Sequence, residues 1–425
     1  MQKDDLLRLI RDPKLLSSDE QILISRIAAQ AAEMDLPCYV VGGFVRDLLL
    51  GKSVNDLDVI VEGDAIKFGR SLVKKFGGKL TTHDKFHTAI WHLPSTFNPS
   101  AGSGQRLLPA SLDLITARKE SYLMPAALPT VTPSTIEDDL LRRDFTINCM
   151  AIRIDGAHFG ELLDPLGGQA DLEKGMIRVL HPRSFIDDPT RIFRAIRYEG
   201  RYDFNIEPET LALINSESLA GVMRLSGERI RHELDLIFEE ANSSRMIQRA
   251  GNLGLFEKIH ADLPLFNPEH LDFLDMDPAL DIPASRPAIG YMFWLMDLME
   301  DGIMSIAERL SFTSDLTYSV WAVSQLKKSL PFLINSRPSV WSYALEKLPL
   351  LSIYVVYLAS RESALLDYLS IWRHVKPHTT GNDLKARGLS SGPRFGEILA
   401  QLRAAWLDGQ VKNPQEEKEL LNTLL

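Results

Sequence analysis

The segment CYVVGGFVRDLLLG, running from Cys38 to Gly51, constrains the fold more than any other stretch of the chain. Four apolar residues, two glycines and an amphipathic run predict a buried strand, a tight turn and a helix. Glycines at that junction let backbone N–H groups approach an anion closely, and the helix start behind them carries a positive partial charge. The segment VNDLDVIVEGD follows at once, with LDVIV as a second short apolar strand. Asp56 and Asp58 are one residue apart, so on a strand both carboxylates point to one face while Leu57 and Val59 turn into the core. Paired hard oxygen ligands of this kind suit Mg²⁺, which takes one or two carboxylates together with substrate phosphates. A lone D-x-D is more often a solvated strand end. Here the preceding Gly42, Gly43 and Arg46, the last within reach of phosphate oxygens, tip the reading to a site. Asp113 in the strand-like SLDLITAR is a candidate third acid of the cluster, with a purely structural role equally open.

Around this nucleus the first ~160 residues alternate helix and strand patterns. A helix is predicted from about Asp19 to Met34, and AIKFGRSLVKKFG is an amphipathic helix. TAIWHL and SLDLITAR read as strands, joined by a loop, PSTFNPSAGSGQ. After a Pro-rich link near Pro125 to Pro133, Ser134 and Glu137 form a capping-box signature that opens a helix leading into a strand, FTINCMAIRI. From Ile186 onward the periodicity is helical, without a clear strand or a strict repeat. Trp294, Trp321, Trp341 and Tyr354 in that region read as core residues rather than stacking platforms. The fold class is therefore α+β, a mixed-sheet head followed by all-helical modules.

With 425 residues, 45% of them hydrophobic and 24% charged, the chain is long enough for several cores. A formal net charge of −10 repels a polyanion as a whole, so any nucleic-acid contact must come from local basic stripes. Cys38 and Cys149 sit in apolar segments without metal-ligand spacing, which suits buried thiols in a reducing, cytoplasmic compartment. The N-terminus lacks the apolar core of a signal peptide, and no stretch reaches the ~20 apolar residues of a membrane span.

Five segments, in order, resemble motifs A to E of the class II tRNA nucleotidyltransferase and bacterial poly(A) polymerase superfamily. They are VGGFVRDLLLG with NDLDVIV, RRDFTINCMAI, DPLGGQADLEKGMIRVL, DDPTRIFRAIRYEGRYDF and GERIRHEL, together spanning Tyr39 to about Phe238. The resemblance implies a head at 1–155, a base-recognising neck at 156–260, a helical body at 261–372 and an RNA-binding tail at 373–425. It also implies two Mg²⁺ ions on Asp56 and Asp58, beside which Asp113, read from its strand position, stands as the candidate further catalytic acid. Gly42, Gly43 and Arg46 would cradle the triphosphate, and Asp47 would orient Arg46 or cap the following helix. Arg143, Asp144 and Asn148 would touch triphosphate or sugar. Asp164, Gly167, Gly168 and Asp171 look structural, and Glu228 with Arg229 would brace the neck.

In the fourth motif base choice is open to an atomic argument. Asp188 precedes Pro189 and is either a helix cap or part of a template in which Arg191 lies on the same helical face. A carboxylate accepts from the exocyclic amine of C or A and rejects the carbonyl oxygens of G and U, while Arg191 donates to ring acceptors. The family usually has Glu-Asp at this point; here Asp187 and Asp188 stand, with the first carboxylate shortened. Arg194, Arg197 and Arg201 continue at helical spacing and predict a cationic face.

The tail carries Lys376, Lys385, Arg387, Arg394, Arg403 and Lys412, and Gly388 and Gly392 flank a loop that opens a helix. Lys385, Arg387 and Arg394 are the candidate RNA contacts. The stretch FGGKLTTHDKFHTAIWHL lacks the paired basic residues typical of the bacterial poly(A) polymerases, which places the resemblance nearer the tRNA enzymes. The expected activity is addition of all or part of the 3′-terminal CCA to tRNA from CTP and ATP, by a monomer or homodimer off the membrane. A poly(A) polymerase, or an enzyme limited to CC or to A, is the alternative. In the family that choice depends on a flexible loop between the first two motifs, for which the stretch Pro94 to Pro109 is the candidate position.

Overall fold

Short Val- and Ile-rich runs that are buried along their whole length form the centre of the N-terminal sheet, as expected for strands covered on both faces. The computed structural model describes residues 2–54, 57–94, 97, 110–121, 130–266, 280, 282–283, 285–390 and 392–425. Asp56, most of the 94–109 loop and most of the Pro-rich link lie outside the described residues. The chain divides into two units, Met1–Leu225 and Ser226–Leu425.

The strands of the first unit are β1 (Cys38–Val41), β2 (Asp58–Val61), β3 (Lys79–His83), β4 (Thr88–His92), β5 (Ser111–Thr116), β6 (Arg118–Ser121), β7 (Thr130–Pro133), β8 (Ala151–Arg153), β9 (Glu161–Leu163), β10 (Met176–Ile177) and β11 (Asn205–Ile206). Its helices are α1 (Lys3–Ile10), α2 (Ser18–Glu33), α3 (Gly43–Leu49), α4 (Ala65–Phe76), α5 (Ile136–Leu141), α6 (Gly168–Glu173), α7 (Ser184–Asp187), α8 (Thr190–Tyr202), α9 (Pro208–Ala212) and α10 (Ser216–Val222). Seven strands form one sheet in the order β3-β4-β5-β2-β1-β8-β9. Within it β2 and β5 run parallel, and the other neighbours are antiparallel.

One face of the sheet presents Tyr39, Val41, Ile60, Ile115 and Ala151 to Ile136 and Leu140 of α5. On α4 the buried Phe68 and Leu72 each contribute about 1.5–3 kcal/mol by leaving water. Gly69 lets that helix approach, since a Cβ there would stand 2.7 Å from the Leu80 side chain.

Three local expectations are corrected. The cap of α5 is Thr135, which accepts from the Asp138 N–H at 3.4 Å, while the Ser134 hydroxyl bonds the Asp138 carboxylate. Thr146–Asn148, expected as strand, is a 3₁₀ turn, because Thr146 is drawn to Asp171 (2.7 Å) and Asn148 to Asp144 (3.0 Å); the strand is confined to Ala151–Arg153. Beyond Ile186, where no strand was expected, β11 pairs in parallel with β10.

The second unit comprises α11 (Gly227–Phe238), α12 (Ser243–Asn252), α13 (Leu255–Ile259), α14 (Arg286–Leu295), α15 (Glu300–Arg309), α16 (Ser314–Leu333), α17 (Pro338–Leu345), α18 (Leu350–Ser360), α19 (Ser363–Ser370), α20 (Gly381–Ala386), α21 (Pro393–Leu407) and α22 (Pro414–Leu424). The apolar helix α18 is buried on nearly every side, with Tyr354 in the core as expected. Trp294 and Trp341 are buried too, and the Trp294 indole N–H donates to the Pro264 carbonyl at 2.8 Å. Trp321 differs: it is only part-buried, stacks on Tyr318 and lines a cavity of about 470 Å³. Among the described residues no helix is long and apolar enough to cross a membrane.

Candidate active site

Four adjacent strands bring the sequence-predicted residues to one end of the sheet. Asp58 begins β2 and pairs in parallel register with Asp113 of β5, while Ile60 pairs with Ile115. Ile60 and Ile115 share one core face, so strand alternation points Asp58 and Asp113 to that same face, side by side. Val40 pairs with Val59, which sets the end of β1 and the Gly42–Gly43 turn beside the start of β2. On the other side Val41 pairs with Ala151, and the Gly42 N–H donates to the Met150 carbonyl at 3.0 Å. Among the described residues no three His, Cys, Asp or Glu side chains converge on a metal-sized space. The pair formed by Asp58 and Asp113 fits a hard divalent cation in donor chemistry and in shared face.

Gly42 adopts φ +61°, and a Cβ there would lie 2.4 Å from a terminal nitrogen of Arg143. The turn thus needs glycine both for its backbone and for the close approach of Arg143. That arginine and Arg142 both reach back to the buried Asp139, at 3.3 and 2.8 Å, rather than extending into solvent. The Arg143 Nε is buried without an acceptor.

Arg46 is 5% exposed and engaged at three nitrogens. Its Nε and Nη2 donate to the Asp47 carboxylate at 2.9 and 3.1 Å, and Nη1 donates to the Asn148 side-chain oxygen at 2.6 Å. Asn148 in turn donates to Asp144 at 3.0 Å, and Asp144 accepts from the Arg194 Nε at 2.7 Å and from the Phe145 N–H at 2.9 Å. Burial by itself raises the Asp144 carboxyl. The charge of Arg194, the hydrogen bonds from Asn148 and Arg194 and the nearby Arg191 outweigh it and hold the group at about 2. Burial also opposes the charge of Arg46, but the hydrogen bond and charge of Asp47 reverse this and hold the guanidinium above its ordinary range.

Helix α8 differs from the expected solvent-facing cationic stripe. Arg191 and Arg197 are buried, Arg194 is half-buried against Asp144, and only Arg201 is exposed. Asp188 precedes the helix in an extended conformation (φ −138°, ψ 98°), so it does not share a helical face with Arg191. Its Oδ1 accepts from the Thr190 N–H and hydroxyl at 3.1 and 2.7 Å, an Asx turn that leads into the helix, whose N-cap is Pro189. Arg191 donates to the Ser184 hydroxyl at 2.7 Å and to the Arg142 carbonyl, at the end of α5, at 2.9 Å. Asp187 meets Arg183 at 3.5 Å. For Arg197 no ion-pair partner stands among the described residues, and its buried Nε lacks an acceptor; its guanidinium lies 5.6 Å from the Tyr198 ring centre.

The third motif forms a clasp. Asp164 accepts from the N–H groups of Gly168 and Gln169 at 2.6 and 2.9 Å, and Asp171 accepts from Thr146 and Arg178. In the second unit, Gly388 (φ +89°) ends α20, with the Leu389 N–H returning to the Leu384 carbonyl at 3.2 Å. Lys385, Arg387 and Arg394 are all exposed near this turn. Arg387 donates to the Asn422 side chain at 2.6 Å, and Arg394 to the Leu425 carbonyl at 3.2 Å. Glu228 and Arg229 lie in the first turn of α11, with Glu228 exposed.

A family model described as the Poly A polymerase head domain matches residues 38–178, and one described as a probable RNA and SrmB-binding site of polymerase A matches residues 203–267. The A-adding tRNA nucleotidyltransferase of Halalkalibacterium halodurans is 31% identical over 425 residues, covering 97% of this chain and 94% of the relative. This chain belongs to the class II tRNA nucleotidyltransferase family. The family's A-adding member from Geobacter sulfurreducens is 34% identical over 91% of the chain, which spans only 45% of that longer relative. The Thermotoga maritima CCA-adding enzyme complexed with tRNA-CCA is 30% identical with a TM-score of 0.77, covering 100% of this chain and 99% of its own. The family is metal-dependent, and the tRNA branch is favoured over the poly(A) polymerases.

Sequence reasoning missed Tyr198, Tyr202 and Ser184. The two tyrosines sit four and eight residues beyond Arg194 on α8. That spacing on one helical face was the available signal.

Proposed function

We propose that this tRNA nucleotidyltransferase adds all or part of the 3′-terminal CCA to tRNA from CTP and ATP, with Mg²⁺ as its metal. The observation that carries the reading is the in-register pair of Asp58 and Asp113 beside the Gly42–Gly43 turn, at the sheet end to which α8 is fastened through Asp144. Asp58, Asp113 and Asp56 would hold Mg²⁺, which supplies Lewis acidity at the primer 3′-hydroxyl and counter-charge at the triphosphate. The Gly42 N–H is held by the Met150 carbonyl, so the Gly43 N–H is the turn donor that binds a phosphate oxygen, and Arg143 and Arg197, each with a buried Nε lacking an acceptor, supply cationic donors. The primer 3′-hydroxyl gives up its proton to solvent as its oxygen bonds to the α-phosphorus, and the bond from that phosphorus to the pyrophosphate oxygen breaks, so that pyrophosphate leaves.

Base choice rests on Asp188 and Arg191. Thr190 fixes the plane of the carboxylate, while Ser184 and the Arg142 carbonyl fix the guanidinium, so both groups are held before a base arrives. The carboxylate accepts from the exocyclic amine of C or A. Lys385, Arg387 and Arg394 contact RNA phosphates. The enzyme works in the cytoplasm, as a monomer or homodimer.

The test offers each NTP singly to tRNA transcripts ending in the discriminator base, in C and in CC. Extension with CTP or ATP, and not with UTP or GTP, is expected, and the transcript that is extended identifies the step performed. No extension of any transcript overturns the tRNA reading, and long A-tails on unrelated RNA establish a poly(A) polymerase.

A further inference from the structure

Helix α8 is tied to the glycine turn by a polar circuit that begins and ends on the helix itself. From Arg194 it runs through Asp144, Asn148, Arg46 and Asp47, in bonds of 2.7, 3.0, 2.6 and 2.9 Å. It closes where the Tyr202 hydroxyl donates to Asp47 at 3.0 Å. Arg194 and Tyr202 are eight residues apart, about 12 Å along the axis. The helix is therefore pinned at two points, and sliding or rotation breaks bonds at both.

The space between the pins is filled by rings. The Arg46 guanidinium carbon lies 5.3 Å from the Tyr198 ring centre and 4.8 Å from that of Tyr202. The Lys52 ammonium stands 4.6 Å from the Tyr202 ring. Tyr198 also packs edge-on against Phe145 at 5.8 Å, and its hydroxyl accepts from Arg194 at 3.1 Å. Stacking desolvates Arg46 and confines it to the geometry that serves both Asp47 and Asn148. Burial pushes the Tyr202 hydroxyl far above its ordinary range; Arg46 pulls it back, and Asp47 adds to the rise. The phenol remains a donor throughout the physiological range.

We propose that Tyr202 is a positioning residue for nucleotidyl transfer, holding Arg46 and Asp47 so that the base-reading start of α8 and the Gly42–Gly43 turn keep a fixed spacing. The proposal rests on the functional reading above. Its mechanism is geometric: Asp188 and Arg191 are at one end of the helix, Tyr202 is at the other, and Arg46 joins that end to the turn beside Asp58. Loss of the hydroxyl leaves the Asp47–Arg46 pair without its tie to the end of α8 and lets the turn shift against a base that is still bound. Turnover then falls more than nucleotide affinity does.

Tyr202→Phe and Tyr202→Leu separate the hydroxyl from the ring. Steady-state transfer to the tRNA end that the wild-type protein extends should show kcat reduced on the order of tenfold in Tyr202→Phe, with KM for the nucleotide within about twofold. Tyr202→Leu, lacking the ring as well, should raise KM and relax discrimination against UTP and GTP. A readout independent of activity is the side-chain Nε–H of Arg46 by NMR, protected from solvent exchange in the wild type and exchanging faster in both variants. Wild-type kcat with unchanged Arg46 exchange in Tyr202→Phe overturns the proposal, and so does a KM rise that accounts for the whole loss. An inactive wild-type protein with a protected Arg46 signal refutes the functional reading instead.

Discussion

Replacing Asp144 by asparagine keeps the shape of the side chain and removes its charge. In the folded protein this carboxylate is buried, accepts from the Phe145 N–H, Asn148 and Arg194, and is held at about 2 against an ordinary 3.8. A depressed carboxyl pKa contributes stability that is fully present above the unfolded value and lost as pH falls through the folded one. The shift corresponds to about 2 kcal/mol at pH 7, and about half of it remains at pH 3. Arg194 is left without its counter-charge, but its side chain is 31% exposed and recovers part of the loss by hydration. Urea denaturation of wild type and Asp144→Asn, followed by fluorescence of Trp91, the tryptophan of the first unit, in a background with the other tryptophans replaced, measures this directly. The stability difference should be about 2 kcal/mol at pH 7 and shrink from pH 5 to pH 3. A variant as stable as wild type at pH 7, or a gap that does not narrow on acidification, refutes the assigned role of Asp144.

Two glycines test different constraints. Gly168→Ala drives a Cβ to 2.2 Å from the Thr146 carbonyl oxygen, a backbone atom, and should lower the melting temperature of the first unit far more than Gly42→Ala, which meets the movable end of Arg143. Gly42→Ala should cost ~1 kcal/mol for its left-handed backbone yet lose most transfer activity, because it displaces both the turn and Arg143; full activity would remove the turn from the site. In the tail, Lys385→Glu with Arg387→Glu should weaken tRNA binding and flatten its log–log dependence on salt by about one slope unit for every phosphate left unneutralised. An unchanged slope in filter binding excludes these side chains as RNA-binding groups.

The strand-turn-helix of Cys38–Leu49 was legible because glycine pairs have few other uses between an apolar strand and an amphipathic helix. The partnership of Asp58 with Asp113 was only half legible: each strand announced itself, but their register depends on a parallel pairing across an intervening helix and hairpin. The arginines of α8 show where local pattern misleads. Their helical spacing is real, but what decides their exposure is Asp144 and the Arg142 carbonyl, groups about fifty positions away that periodicity does not reveal. Asp188 was placed on a helical face from its distance to Arg191, whereas the start of the helix at Thr190 leaves it outside. The basic tail was legible in composition and exposure, whereas the bonds by which Arg387 and Arg394 close the α20–α22 module on itself join residues more than thirty positions apart, which local pattern does not reveal.

The central claim is that the carboxylates at the start of β2 and on β5 form the transfer centre. It is tested most directly by incorporation of labelled AMP or CMP into tRNA by wild type, Asp58→Ala and Asp113→Ala at saturating Mg²⁺, with melting curves alongside. Asp58→Ala should abolish transfer and Asp113→Ala reduce it at least a hundredfold, on the order of the loss of a main electrostatic group, with melting temperatures within a few degrees of wild type. Undiminished incorporation by a folded Asp58→Ala would contradict the account.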